Sequence, residues 1–382
     1  MIRDLEHIRA YSDSEHACNQ GSIIALANGD LLLGYNEERG RAHSDSGQSC
    51  LVLSRDGGRT WDPATRLVVW PYTDFGGNWD CAFTQVSSGE ILMHTRVCSF
   101  IAPAGLNAAN IGEQVIGPPP GRRERLKRQT GYALCRSADN GRTWGAPTPV
   151  NTAPIADSGL GPYVVGGSGA GHLIELPDGG LLMPLHGTIS REWPTLSGEQ
   201  PRAFCLRSDD GGANWEYWAT IAFDPAAVLL FAEVGWCRMR GGRIVCLLRA
   251  QARPGRFDNM WSVYSDDDGA SWSRPVRTGL WGYPADLTEL PDGRVLAVYG
   301  YRRPPWGVRG CISPDGVTWD PAGEFTIREG GAADPAAVRE YWHIGYPTVA
   351  QCQDGTLVAA YHEYSAGPRP IQEMWVTRFR VA

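Results

Sequence analysis

Lysine is almost missing from this chain: Lys127 is the one lysine, and arginine supplies the rest of the 35 basic residues. A Schiff-base enzyme or a P-loop would have to be built on Lys127, and the flanking Arg125-Leu126-Lys127-Arg128 fits neither pattern. No apolar run approaches the roughly 20 residues of a membrane-crossing helix, so no membrane partner is expected. The acidic residues outnumber the basic ones and the net charge is −7, which argues against a nucleic-acid partner. The eight histidines include no H-E-x-x-H spacing, and His362-Glu363 are merely adjacent, so neither a metal nor another cofactor is expected. Ten cysteines contain no C-x-x-C pair. They lie in apolar segments, as at Cys50, Cys81, Cys205 and Cys246, and read as reduced, buried small residues of a cytoplasmic protein. Met1 to His7 lacks a basic start and an apolar core, so no secretory signal is expected; a leader already removed would instead make the protein secreted.

What is abundant is glycine (47), proline (27) and tryptophan (15), the residues of turns and large aromatic plugs. Their arrangement repeats. The pattern S-x-D-x-G-x-[TSN]-W, an Asp box, occurs as Ser54–Trp61, Ser137–Trp144, Ser208–Trp215 and Ser265–Trp272, and in a form one residue shorter as Ser313–Trp319. The aspartate can accept backbone hydrogen bonds within the turn, glycine supplies a conformation other residues resist, and tryptophan fills the space between strands. These boxes are therefore expected to be structural. A second signal is an apolar strand, a glycine turn and another apolar strand. It recurs around Gly29, Gly89, Gly179, Gly242, Gly293 and Gly355, at intervals of 51 to 90 residues. Hairpins at this period, with about four strands per unit, predict an all-β chain folded as a six-bladed β-propeller with four-stranded antiparallel blades. One domain is expected over residues 1–382. The longest interval holds an insertion, about 101–130, with Pro118-Pro119-Pro120 and a basic run from Arg122 to Arg128.

Equivalent positions in the repeats should reach equivalent places. Seven residues after the turn glycines stand Asn36, Arg96, His186, Arg249, Gly300 and His362, and nine residues before them stand Gln20, Asp80, Ala170, Glu233, Pro284 and Tyr346. Such strand ends surround a propeller axis. A ring of arginines, histidines, carboxylates and a tyrosine there suits an anionic or polyhydroxy ligand. Trp79, Trp236 and Trp306 lie near the same positions and are expected to pack.

The Asp boxes and these positions resemble the sialidase (neuraminidase) superfamily of BNR-repeat propellers over nearly the whole chain. The resemblance implies an acid/base aspartate at Asp45, within His43-Ser44-Asp45-Ser46-Gly47. It implies a tyrosine nucleophile at Tyr346, within Ile344-Gly345-Tyr346-Pro347, activated by Glu233. It also implies a carboxylate-binding arginine at Arg249. The family's first blade opens with Arg-Ile-Pro, whose arginine belongs to a three-arginine clamp; this chain has Cys18-Asn19-Gln20-Gly21 there. The third arm falls among Arg302, Arg303 and Arg309, with Arg302 taken as the candidate. The expected catalytic residues are thus Asp45, Glu233 and Tyr346, with Arg249, Arg96, Asp80, His186, His362, Arg302 and Gln20 binding substrate.

The implied activity is hydrolysis of a glycosidic bond in a carbohydrate partner, of an acidic sugar that the incomplete clamp leaves unidentified, sialic acid included. Two rivals differ in chemistry. A polysaccharide lyase on uronic acids would use Tyr346, His186 or His362 with Arg249 and would need no Asp45. A non-catalytic carbohydrate-binding propeller would need none of the ring. The oligomeric state is open.

Overall fold

The computed structural model describes residues 2–41, 47–101, 115–116, 126–150, 171–188, 201–226, 228–252, 256–330, 344–366 and 369–381. Among these, the regular structure is β-strand apart from one 3-10 turn at Pro321–Gly323. Six antiparallel sheets form the six blades of a propeller, as expected. The first blade comprises Cys18–Ala25, Leu31–Glu37, Gln48–Ser54 and Asp62–Trp70. The innermost strands of blades two to six are Gly76–Gln85, Ile174–Glu175, Leu229–Arg238, Ala285–Glu289 and Ile344–Gln351. Most of the insertion at 101–130 lies outside the described residues.

The sixth sheet explains why the last repeat has no Asp box. In blades one to five the box joins the third strand to the fourth, as between Gln48–Ser54 and Asp62–Trp70. In blade six the third strand, Gln372–Val381, is the C-terminal one, and the outer strand is Ile2–Tyr11 from the other end of the chain, paired from Ile2↔Val381 to Tyr11↔Met374. The ring is closed by pairing the two ends, so no turn exists there to carry a box. Closure of this kind also removes the exposed edge that an open array would leave.

Within each box the chemistry is local. Asp56 Oδ1 accepts from Ser54 Oγ and from the Thr60 backbone N–H, each at 2.9 Å, and its Oδ2 accepts from Thr60 Oγ1 at 2.7 Å. The Gly58 N–H donates to Ser54 Oγ at 2.9 Å with Gly58 at φ 85°, a left-handed conformation that glycine adopts without strain. These aspartates are consumed by their own turns and stand away from the axis residues.

Blades adhere through six apolar clusters, one at each interface. Between blades one and two, for example, Leu32, Leu51, Phe83, Ile91 and Met93 interlock, and Phe83 approaches so closely that Gly34 has no room for a Cβ. Cys50, Cys135, Cys205, Cys246 and Cys311 take part as small apolar residues, and no disulfide links the described cysteines. Trp236 is buried in this packing, as expected, and Trp306 packs on the interface between blades five and six; Trp79 is buried outside the clusters, with Arg96 over its ring at 4.8 Å.

Nearer the axis, polar side chains tie one inner strand to the next. Ser22 Oγ accepts from the Phe83 N–H (3.1 Å), the Leu173 N–H donates to Thr84 Oγ1 (2.8 Å), and Trp236 Nε1 donates to the His172 carbonyl (2.7 Å). Asp286 Oδ2 accepts from the Val349 N–H (2.8 Å), and Thr348 Oγ1 accepts from the Ile23 N–H (2.9 Å). His172 Nε2 stands 3.6 Å from Asp286 Oδ2; burial lowers its pKa, but the carboxylate and the Phe83 carbonyl bonded to Nδ1 together raise it. Four of these five bonds satisfy a buried backbone N–H on an inner strand or the segment leading into it, so one loss should be felt. Thr348→Val keeps the shape but strands the buried Ile23 N–H. It should destabilise the protein by about 1–3 kcal/mol, read as a lower urea midpoint at unchanged slope. A change under ~0.5 kcal/mol would mean that the girdle contributes little.

Candidate active site

In four blades the inner strand carries a β-bulge at the same place, between Asn19 and Ser22, Trp79 and Ala82, Ala232 and Val234, and Gly345 and Thr348. The residue at each bulge is left-handed: Gln20 (φ 53°), Asp80 (φ 57°), Glu233 (φ 45°) and Tyr346 (φ 49°). These are the positions singled out nine residues before the turn glycines. Positive φ is costly for any residue with a Cβ and more so for a large one, and a bulge re-aims the side chain it carries. Four such residues around one axis form a built feature, and strain of this kind gathers at functional sites. Ala170, the corresponding residue of blade three, lies outside the described residues, and blade five has Pro284.

The side chains of Glu233 and Tyr346 meet across the axis. The Tyr346 hydroxyl donates to Glu233 Oε1 at 2.8 Å, and Arg249 Nη1 donates to the same oxygen at 2.6 Å. Glu233 Oε2 is buried with no hydrogen-bond partner among the described residues. Arg249 lies over the rings of Phe257 and Tyr283, both at 4.7 Å, and Arg302 lies over Tyr283 at 5.0 Å and over Tyr346 at 4.8 Å. Tyr283 is thus a shared platform that fixes both guanidiniums by cation–π contact. Sequence reasoning missed it. Its signal was adjacency: it precedes Pro284, the blade-five member of the aligned set. Among the three candidates for a further arginine, Arg302 is buried beside Tyr346. Arg303 stacks on Trp281 (4.3 Å) and Tyr301 (4.9 Å), and Arg309 pairs with Glu324 at 3.1 Å.

Charge is distributed unevenly. Burial alone would raise the Glu233 pKa, but the Arg249 charge and hydrogen bond, with Arg302, overturn this and hold it down at about 2. Tyr346 moves the other way: burial and the Glu233 charge raise its pKa, against the pull of Arg302 and Arg249. The resting pair is therefore a carboxylate bonded to a protonated phenol. Blade two repeats blade four, with Asp80 bonded to Arg96 at the same spacing along the chain as Glu233 and Arg249.

Two histidines brace the bulges. The Glu233 N–H donates to His186 Nδ1 (3.2 Å), and the Gln20 N–H donates to His362 Nδ1 (3.3 Å). Burial, and then the Arg96 charge, push His186 down to about 3, so it is neutral, with its proton on Nε2. His362 stacks on Tyr346 with ring centres 6.0 Å apart. Of the residues expected in the site, Glu233, Tyr346, Arg249, Arg302, His186 and His362 form one connected set. Gln20 joins it through His362, and Asp80 with Arg96 stands beside His186. Asp45 lies outside the described residues. No cluster of potential metal ligands occurs among the described residues, and no helix there is long and apolar enough to cross a membrane. An opening of about 370 Å³ at the other end of the axis is lined by His172, Trp236 and Val349 and lies apart from these groups.

Comparison with known proteins places the fold. A model of the BNR repeat-like domain matches residues 115–359. A sialidase of Micromonospora viridifaciens is 30% identical over 213 residues, which is 48% of this chain and 31% of that protein. A sialidase of Bacteroides fragilis (strain YCH46) is 25% identical over 337 residues, 85% of this chain and 58% of that protein. The chain thus spans less than two thirds of the length of either sialidase. A solved structure of a protein of unknown function from Dyadobacter fermentans DSM 18053 superposes with a TM-score of 0.77 at 23% identity, covering 100% of this chain and 99% of that one. The chain belongs to the BNR repeat-like domain family and has the sialidase-type six-bladed propeller fold.

Proposed function

We propose that the chain is a retaining glycoside hydrolase in which Tyr346 is the nucleophile, Glu233 its base and Asp45 the acid/base group, acting on a sugar held by Arg249 and Arg302. The observation that carries this reading is the 2.8 Å hydrogen bond from the Tyr346 hydroxyl to Glu233 Oε1 between two left-handed bulges. The Tyr346 oxygen attacks the anomeric carbon while the bond to the leaving oxygen breaks. That oxygen takes the Asp45 proton, and the phenol proton passes to Glu233. In the second half Asp45 removes a proton from water, the water oxygen displaces the phenolic oxygen, and Glu233 returns its proton to Tyr346.

The pKa directions constrain the timing. A carboxylate held near 2 does not deprotonate a phenol raised above its ordinary range in the resting site. Transfer therefore accompanies C–O bond formation, when the phenol becomes acidic, and Arg249 and Arg302 stabilise the charge that passes through. An uncharged nucleophile also avoids repelling an anionic sugar.

The histidines weigh against the lyase. Nδ1 of both His186 and His362 already accepts a backbone N–H, so neither is poised as the base that β-elimination needs.

Purified protein incubated with sialosides, other ulosonic-acid glycosides, uronides and neutral glycosides should give products heavier by one water. Products without added water, with new ultraviolet absorbance, would support elimination. On the substrate so found, Tyr346→Phe should lower kcat/KM by roughly a thousandfold or more, and Glu233→Gln by about 10²–10⁴-fold. Full activity in Tyr346→Phe would end this mechanism. A separate check uses stability. Because the fold depresses the Glu233 pKa from its ordinary 4.5 to about 2, the ionised form is the one stabilised. Its contribution is present above pH ~4.5 and is lost as pH falls through ~2. The stability gap between wild type and Glu233→Gln should therefore shrink between pH 6 and pH 3 in denaturant titrations; a constant gap would contradict the assigned ionisation.

A further inference from the structure

Blade one differs in charge from blades two and four. In blades two and four the bulge residue is a carboxylate, and the residue sixteen places later is an arginine bonded to it. In blade one the equivalent pair is Gln20 and Asn36, both uncharged. Gln20 is 1% exposed and Asn36 is 0% exposed. Gln20 Oε1, Asn36 Oδ1 and Asn36 Nδ2 have no hydrogen-bond partner among the described residues. A buried polar atom without a partner is costly, and three at one corner of a site call for a guest that supplies the missing bonds.

The corner adjoins the nucleophile. The Gln20 N–H is held by His362, and His362 stacks on Tyr346. Tyr346 also carries Arg302 across its ring. Whatever occupies the site therefore meets both a guanidinium and an amide corner beside Tyr346. A carboxylate accepts hydrogen bonds and donates none, so it would leave the amide oxygens unpaired and face their lone pairs. A hydroxyl both donates and accepts, which suits an amide oxygen and an amide N–H together.

We propose that Gln20 and Asn36 form a subsite for a neutral, hydroxyl-bearing edge of the sugar, so that any negative charge on the substrate is read at Arg249 and Arg302 and not at blade one. This rests on the reading of the site as a sugar site and goes beyond it by fixing which edge of the ring faces which blade. Gln20 is then the residue that sets the preference between hydroxyl and carboxylate at this corner.

Calorimetric titration with N-acetylneuraminic acid and with its methyl ester, the same ring without the charge, tests it. Gln20→Leu should weaken both ligands by about tenfold or more while their affinity ratio stays within about threefold of wild type. Should that variant fail to fold, the isosteric Gln20→Glu carries the test: the ratio should again hold, because no carboxylate approaches the new charge. Arg302→Gln should lower affinity for the acid more than for the ester. The proposal is overturned if Gln20→Leu leaves both affinities unchanged, if either Gln20 variant weakens the acid alone, or if wild type binds neither ligand. The outcome is separable from the catalytic reading: undiminished turnover in Tyr346→Phe would sink the hydrolase mechanism and leave these ratios intact.

Discussion

The structure turns on one hydrogen bond across the propeller axis, from the Tyr346 phenol to Glu233 Oε1. These residues are 113 positions apart and come from blades six and four. Regular strands would alternate side chains between the two faces of a blade, into the apolar interfaces. The bulges break that alternation at one level, and the left-handed residue there sends its side chain toward the axis. The backbone strain is tolerated because the surroundings over-determine it: His186 and His362 hold the bulge N–H groups of Glu233 and Gln20, and the girdle of Ser22, Thr84, Asp286 and Thr348 fixes the strands beneath.

Electrostatics then sort the groups. Glu233 and Tyr346 share one proton-bearing contact, yet their pKa values are driven apart, the acid down and the phenol up. Arg249 drives the first shift and opposes the second, and is itself held against the stacked rings of Phe257 and Tyr283. Asp80 and Arg96 repeat the carboxylate–arginine unit with no tyrosine bonded to the carboxylate among the described residues, and blade one replaces it with amides. The same scaffold position thus carries a tyrosine-bonded glutamate, the tyrosine itself, an ion-paired aspartate and an uncharged amide.

Much of this was readable from the sequence because a propeller is a repeat. Turn glycines and Asp boxes gave six units, and equal spacing from the glycines found Gln20, Asp80, Glu233 and Tyr346. The spacing held because the bulge recurs in register in all four blades, so an extra residue in one strand is matched in the others. What periodicity could not supply was contact between blades. Nothing local to Tyr283 says that it supports two arginines, and nothing local to His186 says that its ring accepts the Glu233 N–H. The choice among Arg302, Arg303 and Arg309 likewise depended on burial beside Tyr346. The missing box of the last repeat became intelligible only once Ile2–Tyr11 was seen to supply the outer strand of that blade.

The most direct test is peptide mass spectrometry after rapid quenching during turnover of a glycoside that the protein cleaves. A tyrosine nucleophile should give a sugar-sized mass increase on the peptide containing Tyr346, absent in Tyr346→Phe, with the first-formed product keeping the anomeric configuration of the substrate. Inverted product with no adduct on Tyr346 would contradict it, because water would then reach the anomeric carbon without the phenol in between.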